Sequence, residues 1–300
     1  MTRTPDVQAS TTLPRRGCLA ALGAFAALAA GCSATRALDL LVPRDSYRGE
    51  PGLAYGPDPR HRLDAYLPLQ ATGPVPLVLF FYGGSWSSGD RADYRFVGEA
   101  LASAGVATLV ADYRLSPAVG WREILADCAL AAAWAQAQAA RLGAERLYLM
   151  GHSAGAYNAA MLALDPRWLA PHGLRPAQLA GWIGIAGPYD FLPIGSRVVQ
   201  RAFGWPGTPA DSQPIVHARA DAPPALLLAA ASDGVVDPRR NTLGLAQALE
   251  RAGAPVRARL YEGLNHATAI GALAAPLRRL APLREDVLAF TRTGHRAGAA

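Results

Sequence analysis

The chain has 300 residues, 51% of them hydrophobic and 17% charged, with a formal net charge of +6. A chain this apolar is neither disordered nor fibrous, and its charge-free runs are too short for a multi-span membrane protein. All 29 basic residues are arginine, and they are dispersed apart from Arg15-Arg16, Arg239-Arg240 and Arg278-Arg279. That distribution argues against a nucleic-acid partner. Three cysteines are too few for a disulfide framework at this length.

In chain order, residues 1–31 read as an export signal. Arg15 and Arg16 precede an uncharged stretch at 17–30, which matches a signal-peptide core and is short for a membrane span. Small residues then lead into Cys32, a pattern similar to a bacterial lipobox. It implies a lipidated Cys32 as the first mature residue, although Ala29 stands where Leu is more usual. A soluble periplasmic protein cut nearby is the alternative. The expected location is therefore the periplasm or the envelope, and Ser33 favours an outer-membrane lipoprotein. Membrane contact is expected only through that anchor. Residues 32–49 are expected to form a tether, 50–293 one domain, and 294–300 a flexible tail. Cys128, in an Ala-rich helical stretch, reads as a small buried hydrophobe.

Apolar runs at 63–67, 77–81, 106–111, 147–150, 182–186, 225–231 and 256–261 predict strands. Helical patterns lie between them, near 91–104, 122–142, 154–164, 239–252 and 277–292. Several strands are apolar on both faces, so the alternation predicts the α/β class, a mostly parallel sheet with helices on both faces. Residues 165–224 read as loops around one buried strand. In such folds the loops at the carboxyl ends of strands build the binding site.

The run at 147–150 leads into Gly151-His152-Ser153-Ala154-Gly155 and then a helical pattern. A strand turning this sharply into a helix leaves no room for side chains two residues either side of the serine. The turn would expose Ser153 Oγ and aim a helix N-terminus at an oxyanion beside it, which makes Ser153 the candidate nucleophile. A serine nucleophile needs a general base, usually histidine. His172 and His217 sit in the irregular segment, and His295 lies in the tail. His152 is inside the turn, with its ring expected to point elsewhere. His266 follows the last strand in a turn-rich loop and is the candidate base. Asp233 and Asp237 both follow the strand at 225–231. Asp237 precedes Pro238 and a helical pattern, a capping signature, so Asp233 is assigned to orient His266. Glu262 is a weaker third option.

The loop Tyr82-Gly83-Gly84-Ser85-Trp86 follows another apolar strand. This loop, the segment Asp112-Tyr113-Arg114-Leu115-Ser116-Pro117, the Gly-His-Ser-Ala-Gly turn, Asp233 and Asn265-His266 occur in an order that resembles the α/β-hydrolases. The resemblance is to the carboxylesterase branch that includes hormone-sensitive-lipase-like esterases, bacterial feruloyl-esterase-like proteins and kynurenine formamidases. It spans roughly residues 50–293. It implies the α/β-hydrolase fold, with about eight strands and no large cap domain, and a small-molecule ester as substrate. It also implies an oxyanion hole formed by the N–H groups of Gly84, Ser85 and Ala154, with Gly83 as an alternative donor. The family usually has His where this chain has Tyr82. Tyr82 and Trp86 are candidate substrate-binding residues, Trp86 being equally readable as packing beneath the loop. Asp127 and Arg114 read as structural partners, and Asp190 as either a site contact or a turn residue.

No nucleotide-binding glycine fingerprint, P-loop or histidine cluster is present, so neither a cofactor nor a metal is expected. The expected function is serine-dependent hydrolysis of small to medium acyl or aryl esters. An arylformamidase of the N-formylkynurenine type and a feruloyl- or acetyl-xylan-type esterase are the alternatives. A catalytically silent envelope protein on the same scaffold is the rival from another class.

Overall fold

The apolar runs become strands of one sheet in the computed structural model, which describes residues 38, 39 and 41–293. The export signal, Cys32 and the tail with His295 lie outside the described residues. The strands are β1 (Arg48–Ala54), β2 (Arg62–Leu67), β3 (Val75–Phe81), β4 (Ala107–Ala111), β5 (Ala144–His152), β6 (Gly181–Ile185), β7 (Ala225–Ala230) and β8 (Val256–Tyr261). Their order across the sheet is β1-β2-β4-β3-β5-β6-β7-β8. The pairs β1/β2 and β2/β4 are antiparallel, and every other pair is parallel. In β4, β6 and β7 every residue is buried. Alternate side chains of a strand point to opposite faces, so burial at every position means that both faces are covered.

The covering helices are α1 (Arg95–Ala102), α2 (Trp121–Gln138), α3 (Ala154–Leu164), α4 (Arg197–Phe203), α5 (Gly244–Ala252), α6 (His266–Gly271) and α7 (Leu283–Thr293). Helices α1, α2, α3 and α5 fall inside predicted helical patterns. Helix α7 starts later than its pattern suggested, because Pro282 interrupts the segment. Pro282 stands directly before the first turn, where a missing N–H costs the helix nothing. Two short helices were not anticipated. Helix α4 breaks up the irregular segment between β6 and β7, and α6 begins at His266 itself.

The tether expected at 32–49 runs too far, since β1 starts at Arg48. The strand pairs Arg48 with Leu67 and Ala54 with Arg62, with a bulge between Glu50 and Leu53. Most of β1 is exposed, and its sequence carries Pro51 and Gly52, so it shows no apolar alternation. An edge strand held by main-chain pairing leaves little trace in a hydrophobicity pattern.

The residues read as structural are structural. Buried Asp127 accepts from the N–H and the guanidinium of Arg114 and lies 3.0 Å from His61 Nε2, which ties the chain after β4 to α2. Cys128 beside it is fully buried. Because β3, β5, β6, β7 and β8 are parallel, the segments that follow them emerge along one edge of the sheet. From β8 to β5 is three strand spacings, about 14 Å at roughly 4.8 Å each, so the segment after β8 must reach back across the sheet to meet the turn after β5.

Candidate active site

Ser153 occupies a left-handed backbone conformation, φ 53° and ψ −120°, between the end of β5 and the start of α3. For a residue with a side chain this costs roughly 1–3 kcal/mol and persists only if its surroundings enforce it. The surroundings do so from both sides. The Ser153 N–H donates to Ile185 O at 2.9 Å, and the Ser153 carbonyl accepts from the N–H groups of Ala156 and Tyr157. A Cβ on Gly151 would lie 2.1 Å from Gly155 O, and one on Gly155 would lie 1.9 Å from Phe81 O. Both glycines are therefore required by contact, as the sequence pattern suggested.

His266 reaches the turn from the far side of the sheet. It opens α6, whose first turn is capped by Asn265, with Oδ1 accepting from the N–H groups of Ala267 and Thr268. Ser153 Oγ–H donates to His266 Nε2 at 2.9 Å, and His266 Nδ1–H donates to Asp233 Oδ2 at 2.7 Å. The other Asp233 oxygen accepts from the N–H groups of Val235 and Val236. Burial opposes charge on Asp233, but the His266 bond and these two N–H groups outweigh it and hold the carboxyl below its ordinary range. Asp233 is thus ionised at neutral pH. The stability its partners confer is present above pH 3.8 and is lost only as the pH falls through the lowered value.

The remaining candidates lie elsewhere. Asp237 caps the helical turn after it by accepting from the N–H groups of Arg239 and Arg240. Glu262 and His172 are exposed, and His217 bonds the carbonyl of Asp211. Asp190 makes a two-pronged ion pair with Arg240. His152 does not contact Ser153 Oγ; it turns onto the main chain of His266.

The loop after β3 passes directly over the serine. A Cβ on Gly83 would stand 3.0 Å from Ser153 Cβ. Gly84, Ser85 and Trp86 then take consecutive positive φ values of 125°, 52° and 58°. Outside helices and strands, none of the main-chain bonds among the described residues uses the N–H of Gly84 or Ser85. The N–H of Ala154 is likewise open, as the first in α3. The Ala154 N–H follows the serine directly, and the Gly84 and Ser85 N–H groups belong to the loop whose Gly83 stands beside it.

Tyr82 and Trp86 are corrected as substrate-binding candidates. Tyr82 is 0% exposed and Trp86 2%, both packed beneath the loop. The Trp86 indole donates to Asn158 Oδ1 and packs edge-on against Tyr157 and Phe203. The Tyr82 ring is stacked between Tyr94 and Tyr113. Its hydroxyl donates to Asp112 Oδ1 at 2.8 Å and accepts from Arg60 at 2.6 Å. Burial pushes the phenol well above its ordinary value, which keeps it protonated and able to donate. The same Arg60 nitrogen also donates to Gly89 O at 2.9 Å, so one guanidinium grips both ends of the loop. Nothing near Arg60 in the sequence marks this role, because its partners lie 22 to 53 residues away. Tyr82→Phe removes the central link and leaves Asp112 and Arg60 short of a partner, a cost of roughly 1–3 kcal/mol. The expected result is a lower melting temperature together with a lower turnover number at little-changed KM. A variant that loses stability with undiminished turnover would contradict the anchoring of the loop by this phenol.

Residues 63–249 match the profile of the BD-FAE family. Among curated proteins, esterase LipC of Mycobacterium tuberculosis is 32% identical over 204 residues, covering 61% of this chain and 50% of that protein. The kynurenine formamidase of Salmo salar is 31% identical over 145 residues, 48% of each. The chain spans about half the length of the curated relatives it matches. Among solved structures, esterase B from Lactobacillus rhamnosis superposes with a TM-score of 0.74 at 20% identity, covering 89% of this chain and 95% of that one. Topology and superposition agree on the α/β-hydrolase fold, and the profile match shows that the chain belongs to the BD-FAE family.

Proposed function

We propose that the protein is a serine hydrolase of carboxylic esters, with Ser153 as nucleophile, His266 as general base and acid, and Asp233 orienting the imidazole. The observation that carries this reading is the continuous relay Ser153 Oγ–His266–Asp233, with contacts of 2.9 and 2.7 Å, beside open main-chain donors. Ser153 Oγ attacks the ester carbonyl while His266 Nε2 takes its proton, and the carbonyl oxygen becomes an anion facing Gly84, Ser85 and Ala154. Collapse of the tetrahedral species breaks the bond to the alcohol, which leaves with the proton from His266. Water then attacks the acyl-enzyme, His266 again moves the proton, and the carboxylic acid is released. Asp233, ionised and fixed by two N–H groups, keeps the imidazole in the tautomer with Nε2 unprotonated.

The similarity to a kynurenine formamidase supports a second reading, hydrolysis of an aryl formamide by the same steps with an amine as leaving group. The resemblance of the Tyr82–Trp86 loop and the Gly151–Gly155 turn to bacterial feruloyl-esterase-like proteins supports a feruloyl-type ester as a third substrate class. Assays on p-nitrophenyl acetate, methyl ferulate and N-formylkynurenine rank the three. We further propose that the enzyme is exported and tethered to the envelope through Cys32, a reading supported by Arg15-Arg16, the uncharged stretch after them and the small residues before Cys32. Cys32→Ala should then move the protein from the membrane fraction to the soluble one.

A fluorophosphonate probe tests the proposed nucleophile. Wild type should gain one adduct, while Ser153→Ala should gain none and lose activity by about 10⁴-fold or more. A folded wild type that stays unlabelled, or a Ser153→Ala variant that labels equally, would overturn the assignment.

A further inference from the structure

We propose that His152 is a positioning residue, which holds the proposed base His266 in register with Ser153 by donating from Nε2 to the His266 main-chain carbonyl. The proposal rests on the hydrolase reading above. Its starting point is that His266 arrives from β8, across three strand spacings, on a turn whose own bonds do little to locate it. Asn265 and Thr268 bond each other and Ala267, all within residues 265–268. Among the described residues, the hydrogen bonds that join this turn to other segments are those of the His266 side chain and the one from His152. Asp233 orients the His266 ring, but the main chain that carries the ring needs a contact of its own. Leu264, Ala269 and Ile270 pack the turn into the core on either side, and the bond from His152 fixes the main chain at His266 itself.

His152 is suited to make that contact. It is the last residue of β5, paired with Ile185 in the sheet and adjacent to Ser153, so it moves with the nucleophile. Its side chain is 6% exposed, and Nε2 lies 3.1 Å from His266 O. A carbonyl only accepts, so Nε2 carries the proton, and Nδ1 is left as a buried acceptor with no partner in the structure. The two imidazole rings sit with centroids 4.9 Å apart. Burial, then the proximity of His266, lowers the His152 pKa to about 3, so it is neutral at ordinary pH. A neutral ring at this place does not oppose the imidazolium that forms on His266 during each proton transfer. Nδ1 also stands 3.1 Å from where a Cβ on Gly83 would be, so the ring lies close beside the loop after β3. One buried side chain thus bonds the turn of the proposed base, lies beside the loop after β3, and belongs to the residue next to the proposed nucleophile.

The test compares His152→Gln, which keeps an N–H at similar reach, with His152→Met, which has similar length and no donor. Both are titrated with a fluorophosphonate, so that rates refer to competent sites. His152→Met should lower kcat on p-nitrophenyl acetate by about 10- to 100-fold, with KM changed by less than about two-fold, and slow phosphonylation of Ser153 in parallel. His152→Gln should recover most of the loss. If His152→Met does not accumulate folded, His152→Asn, whose amide is too short to reach the carbonyl, takes its place with the same expectation. Unchanged kcat per competent site in the donor-less variant overturns the proposal, and so does equal impairment of the Gln and donor-less variants. A wild type with neither labelling nor turnover contradicts the hydrolase reading, and this proposal with it. An active wild type beside an unimpaired donor-less variant contradicts this proposal alone.

Discussion

The backbone turn at Ser153 is the constraint on which the rest of the site depends. A left-handed residue between a strand and a helix is possible here only because Gly155 lets the Phe81 carbonyl pass where a side chain would stand, and because Gly151 does the same for Gly155. The first of these contacts reaches beyond the turn. Phe81 is the last residue of β3, and Tyr82 and the oxyanion loop follow it directly. The close approach that permits the strained serine therefore also fixes where the loop begins. Position of the proposed nucleophile and position of its electrostatic partner are one fact of packing, which is the preorganisation that stabilising a transition-state charge requires.

Around that turn the charges are sorted by environment. Asp233 is kept ionised by three donors, His152 is kept neutral by burial, and the Tyr82 phenol is kept protonated. Beneath the loop, Arg60 and Arg91 compensate Asp112, whose carboxyl burial pushes upward. The main chain contributes as well, since Trp86 O accepts from the N–H of Ser116. A loop with consecutive positive φ values is held from below by phenol, guanidinium and carboxylate. Tyr82 thus has a buried partner set of its own in Arg60, Asp112, Tyr94 and Tyr113.

Local features were legible in the sequence to the extent that their causes are local. Two glycines flanking Ser153 at the end of an apolar strand read directly as a tight turn, and the contacts at Gly151 and Gly155 supply the reason. Asp237 before Pro238 read as a cap because a cap is built from adjacent residues. His266 and Asp233 were found by their order along the chain, since nothing in Asn265-His266 says how far it lies from Ser153. Where the cause is distant, the pattern was silent or misleading. Strand β1 depends on pairing with β2 and shows no apolar alternation. Tyr82, in the loop after β3, reads as a candidate substrate contact, and only the fold reveals Arg60, Tyr94, Asp112 and Tyr113 around it. His152 turns aside as expected, but nothing local shows that the loop returning from β8 brings a carbonyl to its ring.

The most direct test of this account is a crystal structure of the enzyme phosphorylated by diethyl p-nitrophenyl phosphate, an adduct that imitates the tetrahedral intermediate. The account predicts phosphorus bonded to Ser153 Oγ, with one non-bridging oxygen about 2.7–3.1 Å from the N–H of Ala154 and from that of Gly84 or Ser85. Phosphorus on another residue, or an adduct at Ser153 whose oxygens all point away from these amides, would contradict it.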